Sequence, residues 1–212
     1  MEIDYKKLAL PFLGMERVTR NFSGAAQDIF VLSCLNGKEN GVWLDLGCQG
    51  PTVNSNTNIL EIQFGWHGVS VDIDEQAIKD FKLIRKTCCL NEDATKLDFD
   101  KIVGLLGTNR VDYLSMDMEP PDITLKSLEI IPFDKFEFSL ITYEHDRYRS
   151  TDQIRDESRK IIENAGYKML CRDVGGPTFS SEDWYYNSKY VDYERIKVLE
   201  KHNIPGETLV MK

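Results

Sequence analysis

Val42-Trp43-Leu44-Asp45-Leu46-Gly47-Cys48-Gln49-Gly50 is the stretch on which the fold turns. Residues 42–46 have strand length and are apolar except for one acid. The glycines that follow allow a sharp turn and a close backbone approach to a ligand, because neither carries a Cβ. A buried strand running into such a turn is the opening of a βαβ unit, and the residues on either side of it extend that pattern.

Apolar runs of strand length recur at 42–46, 68–72, 87–90, 111–116, 136–143 and 167–174. Between them, 58–64, 75–86, 99–106 and 151–165 have helical spacing, and 25–35 forms a helix ahead of the first strand. Asn58 with Glu61 three residues on has the form of a capping box, and Gly166 stands where a C′ glycine ends a helix. Alternating strands and helices imply right-handed crossovers and a mostly parallel sheet of about seven strands, with helices on both faces. The expected layout is a single domain over 1–212. It has a helical lead-in (1–40), a sheet core (41–175) and an aromatic-rich C-terminal segment (176–212) around Trp184. In such folds ligands bind beyond the carboxyl ends of the strands, at the switch in strand order.

The chain has 212 residues, 42% hydrophobic and 29% charged, which is a globular composition. Its 26 basic against 35 acidic residues give a net charge of −9, which disfavours broad binding to nucleic acid or an anionic membrane. Five cysteines without a CxxC pair point to buried thiols rather than disulfides or a zinc site. The N-terminus lacks the order of a signal peptide, and no apolar run reaches ~18 residues. A soluble, cytoplasmic protein is expected.

The acid ahead of the glycine turn narrows the ligand. A dinucleotide turn, Gly-x-Gly-x-x-Gly, presents a helix N-terminus to a pyrophosphate. A carboxylate at Asp45 repels phosphate and suits a cationic ligand such as S-adenosylmethionine. At the end of the second strand, Asp72 has the position of an acid that accepts hydrogen bonds from ribose hydroxyls, with Asp74 competing for that role. Asp93, before Ala94, follows the third strand and suits an adenine amino group. After the fourth strand come Asp117 and Glu119, and after the fifth Glu144 and His145. Adjacent strand ends bring these groups together as candidates for acid–base work or for holding a magnesium-like ion, with Asp117, Glu119 and His145 as its ligands.

Taken in order, several segments resemble the FkbM family of class I S-adenosylmethionine-dependent methyltransferases. They are Gln27 to Leu32, Val42 to Gly47, Ser55-Asn56-Thr57 with Glu61, Gly65 to Gly68, Asp112 to Glu119, Ile141 to His145, and Asp183-Trp184-Tyr185. Pro51 and Pro120 stand where the family usually has glycine, and Asp72-Ile73 stands where it has Glu-Pro. The resemblance implies a Rossmann-like class I methyltransferase fold and methyl transfer to a hydroxyl oxygen of a small molecule or saccharide. Asp45, Gly47, Cys48, Gly50, Asn56, Asp72, Asp93 and Ala94 are then expected at the cofactor. His145 is the first choice of base and Asp117 the second, with Glu119 and Glu144 orienting the base, binding the acceptor or ligating a divalent metal. Two rival readings are a catalytically silent cofactor-binding module and an NAD-dependent oxidoreductase, and the latter lacks its glycine signature here.

Overall fold

The computed structural model describes residues 2–212. The strands are β1 (Val42–Leu46), β2 (His67–Asp72), β3 (Cys88–Asn91), β4 (Arg110–Met116), β5 (Glu137–Glu144), β6 (Lys168–Val174) and β7 (Glu182–Tyr186). The helices are α1 (Gln27–Cys34), α2 (Asn58–Phe64), α3 (Glu75–Ile84), α4 (Phe99–Leu106), α5 (Pro121–Glu129), α6 (Asp152–Asn164), α7 (Tyr193–Ile196) and α8 (Gly206–Val210). The seven strands form one sheet in the order β3-β2-β1-β4-β5-β7-β6. The pairs β1–β2, β2–β3, β1–β4 and β4–β5 are parallel. Strand β7 runs antiparallel to both β5 and β6.

Strand order reverses between β1 and β4, so a crevice opens beyond Leu46 and Met116. Two apolar layers cover the sheet. Trp43, Trp184 and Tyr186 pack on one side with α1 and α2, and also with Leu8, Phe12, Leu199 and Leu209 from the two ends of the chain. Leu44, Ile141, Tyr143 and Tyr185 pack on the other with residues of α4, α5 and α6. Alternate residues of one strand thus enter opposite layers, as a doubly covered sheet requires.

Two elements depart from the sequence reading. The prolines after β4 begin α5, a helix that the sequence reading does not contain. Pro121 sits in its first turn, where the missing N–H has no helical partner to lose. The C-terminal aromatics form β7, a full interior strand. Trp184 and Tyr185 are fully buried. The Trp184 indole donates to Glu182 Oε2 at 2.6 Å, and its ring lies 4.5 Å from Phe30.

Phe30 joins α1 to the sheet through that contact. Phe30→Ala is expected to lower the unfolding free energy by about 3–5 kcal/mol in urea denaturation. A loss under about 1 kcal/mol would contradict the packing.

Candidate functional site

The turn after β1 is clamped from both sides. Gly47 N–H and Cys48 N–H donate to Val71 O at 2.9 and 3.2 Å, and Asp117 N–H donates to Leu46 O at 2.9 Å. Gly47 has φ +86°, and a Cβ on it would lie 2.0 Å from the Asp117 carbonyl oxygen, so only glycine fits. From this turn a chain of eleven residues crosses to α2 before any helix begins.

Arg85 fixes that crossing. It is 4% exposed, and its guanidinium donates to Pro51 O, Ser55 Oγ, Thr57 O and Thr57 Oγ1 at 3.1–3.2 Å. Its Nε pairs with Glu61, which also accepts from Lys86 N–H at 2.8 Å and Thr87 Oγ1 at 2.7 Å. Glu61 therefore holds Arg85 and does not reach back to an N-cap. Thr57 precedes α2, and Asn58 is the first helical residue. The acid Asp45 lies under the turn, 2% exposed, and accepts from Thr57 Oγ1 at 3.2 Å. Burial pushes its carboxyl up to about 6, against the opposing pull of the Ser115 hydroxyl and Arg85.

A cleft of about 530 Å³ opens over the turn, within the usual range for small-molecule sites. Gly47, Gly50, Asp72, Asp93, Ala94 and Asp117 line it, as does Glu119. Asp72 Oδ2 accepts from Gln49 N–H at 2.7 Å, and Oδ1 accepts from Asp74 N–H at 2.9 Å. Asp93 is held down to about 2 by Lys96 and by the Thr95 hydroxyl and N–H. Six carboxylates line this cleft: Asp72, Asp74, Glu92, Asp93, Asp117 and Glu119. No Lys, Arg or His joins them.

Asp45, Cys48 and Asn56 are not on its walls. The Cys48 thiol turns into a small apolar cluster, 3.7 Å from Cys89 Sγ. Asn56 Nδ2 donates to Ser115 Oγ at 3.0 Å in the interior.

A second cleft, of about 420 Å³, adjoins the first and shares Gln49, Asp117 and Glu119 with it. Glu144, Asp146 and Glu182 line it from β5 and β7. Burial, reinforced by Asp117, pushes Glu144 far above the usual carboxylate range. The same two causes raise Asp146 to about 6. Burial lifts Glu182 to about 8, although Trp184 donates to it. Arg149 pairs with Glu119 and Asp146.

His145 lies in neither cleft. It is fully buried; its Nδ1 accepts from Arg147 N–H at 3.2 Å, and its Nε2 is 3.6 Å from Asp183 Oδ2. Asp183 also accepts from Arg159 Nε at 2.7 Å. Burial works to raise Asp183, but His145 and Arg159 outweigh it and hold the group down to about 2. The strand end directs this imidazole inward, which corrects the expectation that it is the base.

The metal set of Asp117, Glu119 and His145 is likewise not assembled. Among the described residues, two other groups of possible ligands converge: Glu119, Glu144 and Asp146, and His145, Asp173 and Asp183. Arg149 occupies the first and Arg159 the second as the cation present. These residues do not fit a metal centre. Residues that the sequence reading passed over are Arg85, Gln49, Asp146 and Glu182. Of these only Arg85 lay away from any motif; Gln49 stands inside the glycine turn, Asp146 beside His145, and Glu182 at the head of the aromatic run.

No family model and no curated protein matches the chain in sequence. Solved structures do match in fold. A Clostridium thermocellum protein assigned as an rRNA methylase superposes with TM-score 0.54 at 14% identity, over 80% of this chain and 97% of its own. A methyltransferase of Pyrococcus furiosus gives 0.51 at 12%, over 76% and 81%. A TehB-like SAM-dependent methyltransferase of Corynebacterium glutamicum gives 0.50 at 11%, over 79% and 89%. At these identities the likeness is one of fold, and the fold is the Rossmann-like one of class I methyltransferases. No helix among the described residues is long and apolar enough to cross a membrane.

Arg85→Met leaves Glu61 buried without its cation and is expected to cost about 3–5 kcal/mol in urea denaturation, with part regained in Arg85→Met/Glu61→Gln. The raised carboxyls at Asp146 and Glu182 make the folded chain bind more protons than the unfolded one. Their contribution to stability is therefore full below about pH 4 and falls as pH rises to about 8, so the urea midpoint is expected to drop between about pH 5 and about pH 8. Asp146→Asn is expected to flatten that slope.

Proposed function

We propose that the protein binds S-adenosylmethionine in the first cleft and transfers its methyl group to a hydroxyl oxygen of a small molecule or saccharide in the second. The charge of the first cleft carries this reading. Lys101, Lys96 and Arg149 pair with Glu92, Asp93 and Glu119 from outside the wall, but Asp72, Asp74 and Asp117 have no such partner among the described residues. A wall of acids with no Lys, Arg or His on it disfavours the pyrophosphate of a nicotinamide dinucleotide and suits a ligand bearing an ammonium and a sulfonium. The residues present fit that ligand. In this reading Asp72 accepts from ribose hydroxyls, Asp93 accepts from the adenine amino group, and Ala94 lies beside the ring. Ile73, 74% exposed, and Ile123 offer apolar walls to its faces. The oxygen acceptor rests on the FkbM resemblance of the segments around Glu119 and Glu144. A nucleic-acid acceptor, as named for the C. thermocellum protein, is disfavoured because the second cleft is also lined by acids.

Bound S-adenosylmethionine supplies a methyl carbon on a positively charged sulfur. Asp117 lies on the wall common to both clefts and is the base assigned here, with Glu144 beside it to share the proton. The acceptor hydroxyl gives its proton to this pair as its oxygen bonds to the methyl carbon. The sulfonium of a bound S-adenosylmethionine would supply the leaving group, departing as a neutral thioether that keeps the electron pair of its bond to the methyl carbon. Alignment of oxygen, carbon and sulfur across the shared wall supplies most of the acceleration.

Calorimetric titration with S-adenosylhomocysteine tests the cofactor assignment. The wild type is expected to bind, and Asp72→Ala to bind about tenfold to a hundredfold more weakly. No binding to the wild type would sink the reading. Asp117→Asn is expected to keep that affinity and lose about 10²–10⁴-fold in turnover against a panel of hydroxylated acceptors. Binding with no turnover of any acceptor by the wild type would favour the silent module.

A further inference from the structure

We propose that Cys48 and Cys89 form a disulfide under sustained hydroperoxide, and that this bond draws the glycine turn toward β3 and weakens ligand binding in the first cleft. The two sulfurs lie 3.7 Å apart, with Ile78 and Phe81 of α3 packed around them. Each cysteine is 4% exposed. The fold has already brought two thiols 41 residues apart into contact, and a disulfide asks their sulfurs to close to about 2.05 Å. The neighbouring Cys89 thiol and burial push the Cys48 thiol up, so the pair stays reduced where an exposed thiolate reacts. A hydroperoxide is small enough for so enclosed a site. It converts one thiol to a sulfenic acid, its O–O bond breaking to release water or an alcohol. The second sulfur then attacks the first, and its proton leaves with the hydroxyl group as water. The two thiols lose two electrons and two protons, and the peroxide takes up both.

Of the two sides, the turn is the one that yields. Cys89 sits in the β2–β3 ladder opposite Ser70. Cys48 stands outside any strand, and its N–H holds Val71 O only at 3.2 Å. Its neighbour Gln49 has φ +47°, a left-handed conformation that a residue with a side chain adopts at a cost. Gln49 N–H donates to Asp72 Oδ2 at 2.7 Å, and Gln49, Gly50 and Asp72 all line the first cleft. On the other side of Cys48, Gly47 rests against the Asp117 carbonyl with no room for a Cβ. Pulling Cys48 toward β3 therefore displaces the cleft wall between Asp72 and Asp117. The bond itself is independent of the methyl-transfer reading, and only the choice of probe ligand rests on it.

The test treats the full chain with hydrogen peroxide, maps its peptides without reduction, and measures S-adenosylhomocysteine binding by calorimetry before and after. A Cys48–Cys89 link is expected, with affinity at least about fivefold lower and restored by dithiothreitol. Cys88→Ala is expected to keep both the link and the loss. Cys89→Ala is expected to bind like the reduced wild type and to hold that affinity through the peroxide treatment. Oxidation that stops at sulfinic acid, a link from Cys88 in place of Cys89, or a linked chain that binds as tightly as the reduced one would each overturn the inference and leave the cofactor reading standing. If S-adenosylhomocysteine fails to bind the reduced wild type, that reading falls. Hydrogen exchange at the amides of Gly47, Cys48 and Gln49 then decides: altered protection in the linked chain supports the inference, and unchanged protection overturns it.

Discussion

The guanidinium of Arg85 is the constraint on which the site depends. The eleven residues between β1 and α2 contain no regular element, so their backbone has no ladder of its own. Arg85 supplies the missing donors to three residues of that segment and hands its charge to Glu61. Glu61 is tied in turn to the approach to β3, so one interaction joins the segment after the glycine turn, α2 and the far edge of the sheet. A buried ion pair adds little net stability over an apolar pair, but it tolerates few alternative arrangements once its hydrogen bonds are all made. Here it holds a loop in one path where glycine-rich sequence alone allows many.

Much of the fold was legible because it rests on local patterns. The apolar runs that became β1 to β6 and the spacing that became α2 and α4 depend on burial period alone. What escaped depends on neighbours distant in sequence. Strand β7 opens with two acids, Glu182 and Asp183, whose partners are Gln27, Trp184 and Arg159; no window around residue 182 contains Gln27 or Arg159. Helix α5 escaped because Pro120 and Pro121 mask its start, and tertiary packing of Leu125 and Leu128 settles it.

The site divides in the same way. Residues at strand ends, Gly47, Asp72, Asp93, Asp117 and Glu144, reach the clefts because the topology delivers every parallel strand to one edge. Their side-chain directions were not legible. Asp45, Cys48 and His145 stand one residue or so from cleft walls, yet all three point inward, because successive positions at a strand end face opposite ways. Position along the chain named the edge, and only the packing named the face.

The insertion of β7 between β5 and β6 has a consequence for the order in which the molecule is completed. As the chain is synthesised, β6 emerges before the strand that separates it from β5. Until Tyr186 has followed, β5 keeps an unpaired edge of N–H and C=O groups, and β6 has no place in the sheet. The strand that closes this gap brings Glu182 into the second cleft and Asp183 to His145 and Arg159. Closure of the sheet and completion of the acidic wall are therefore one event, and a partly made chain has neither.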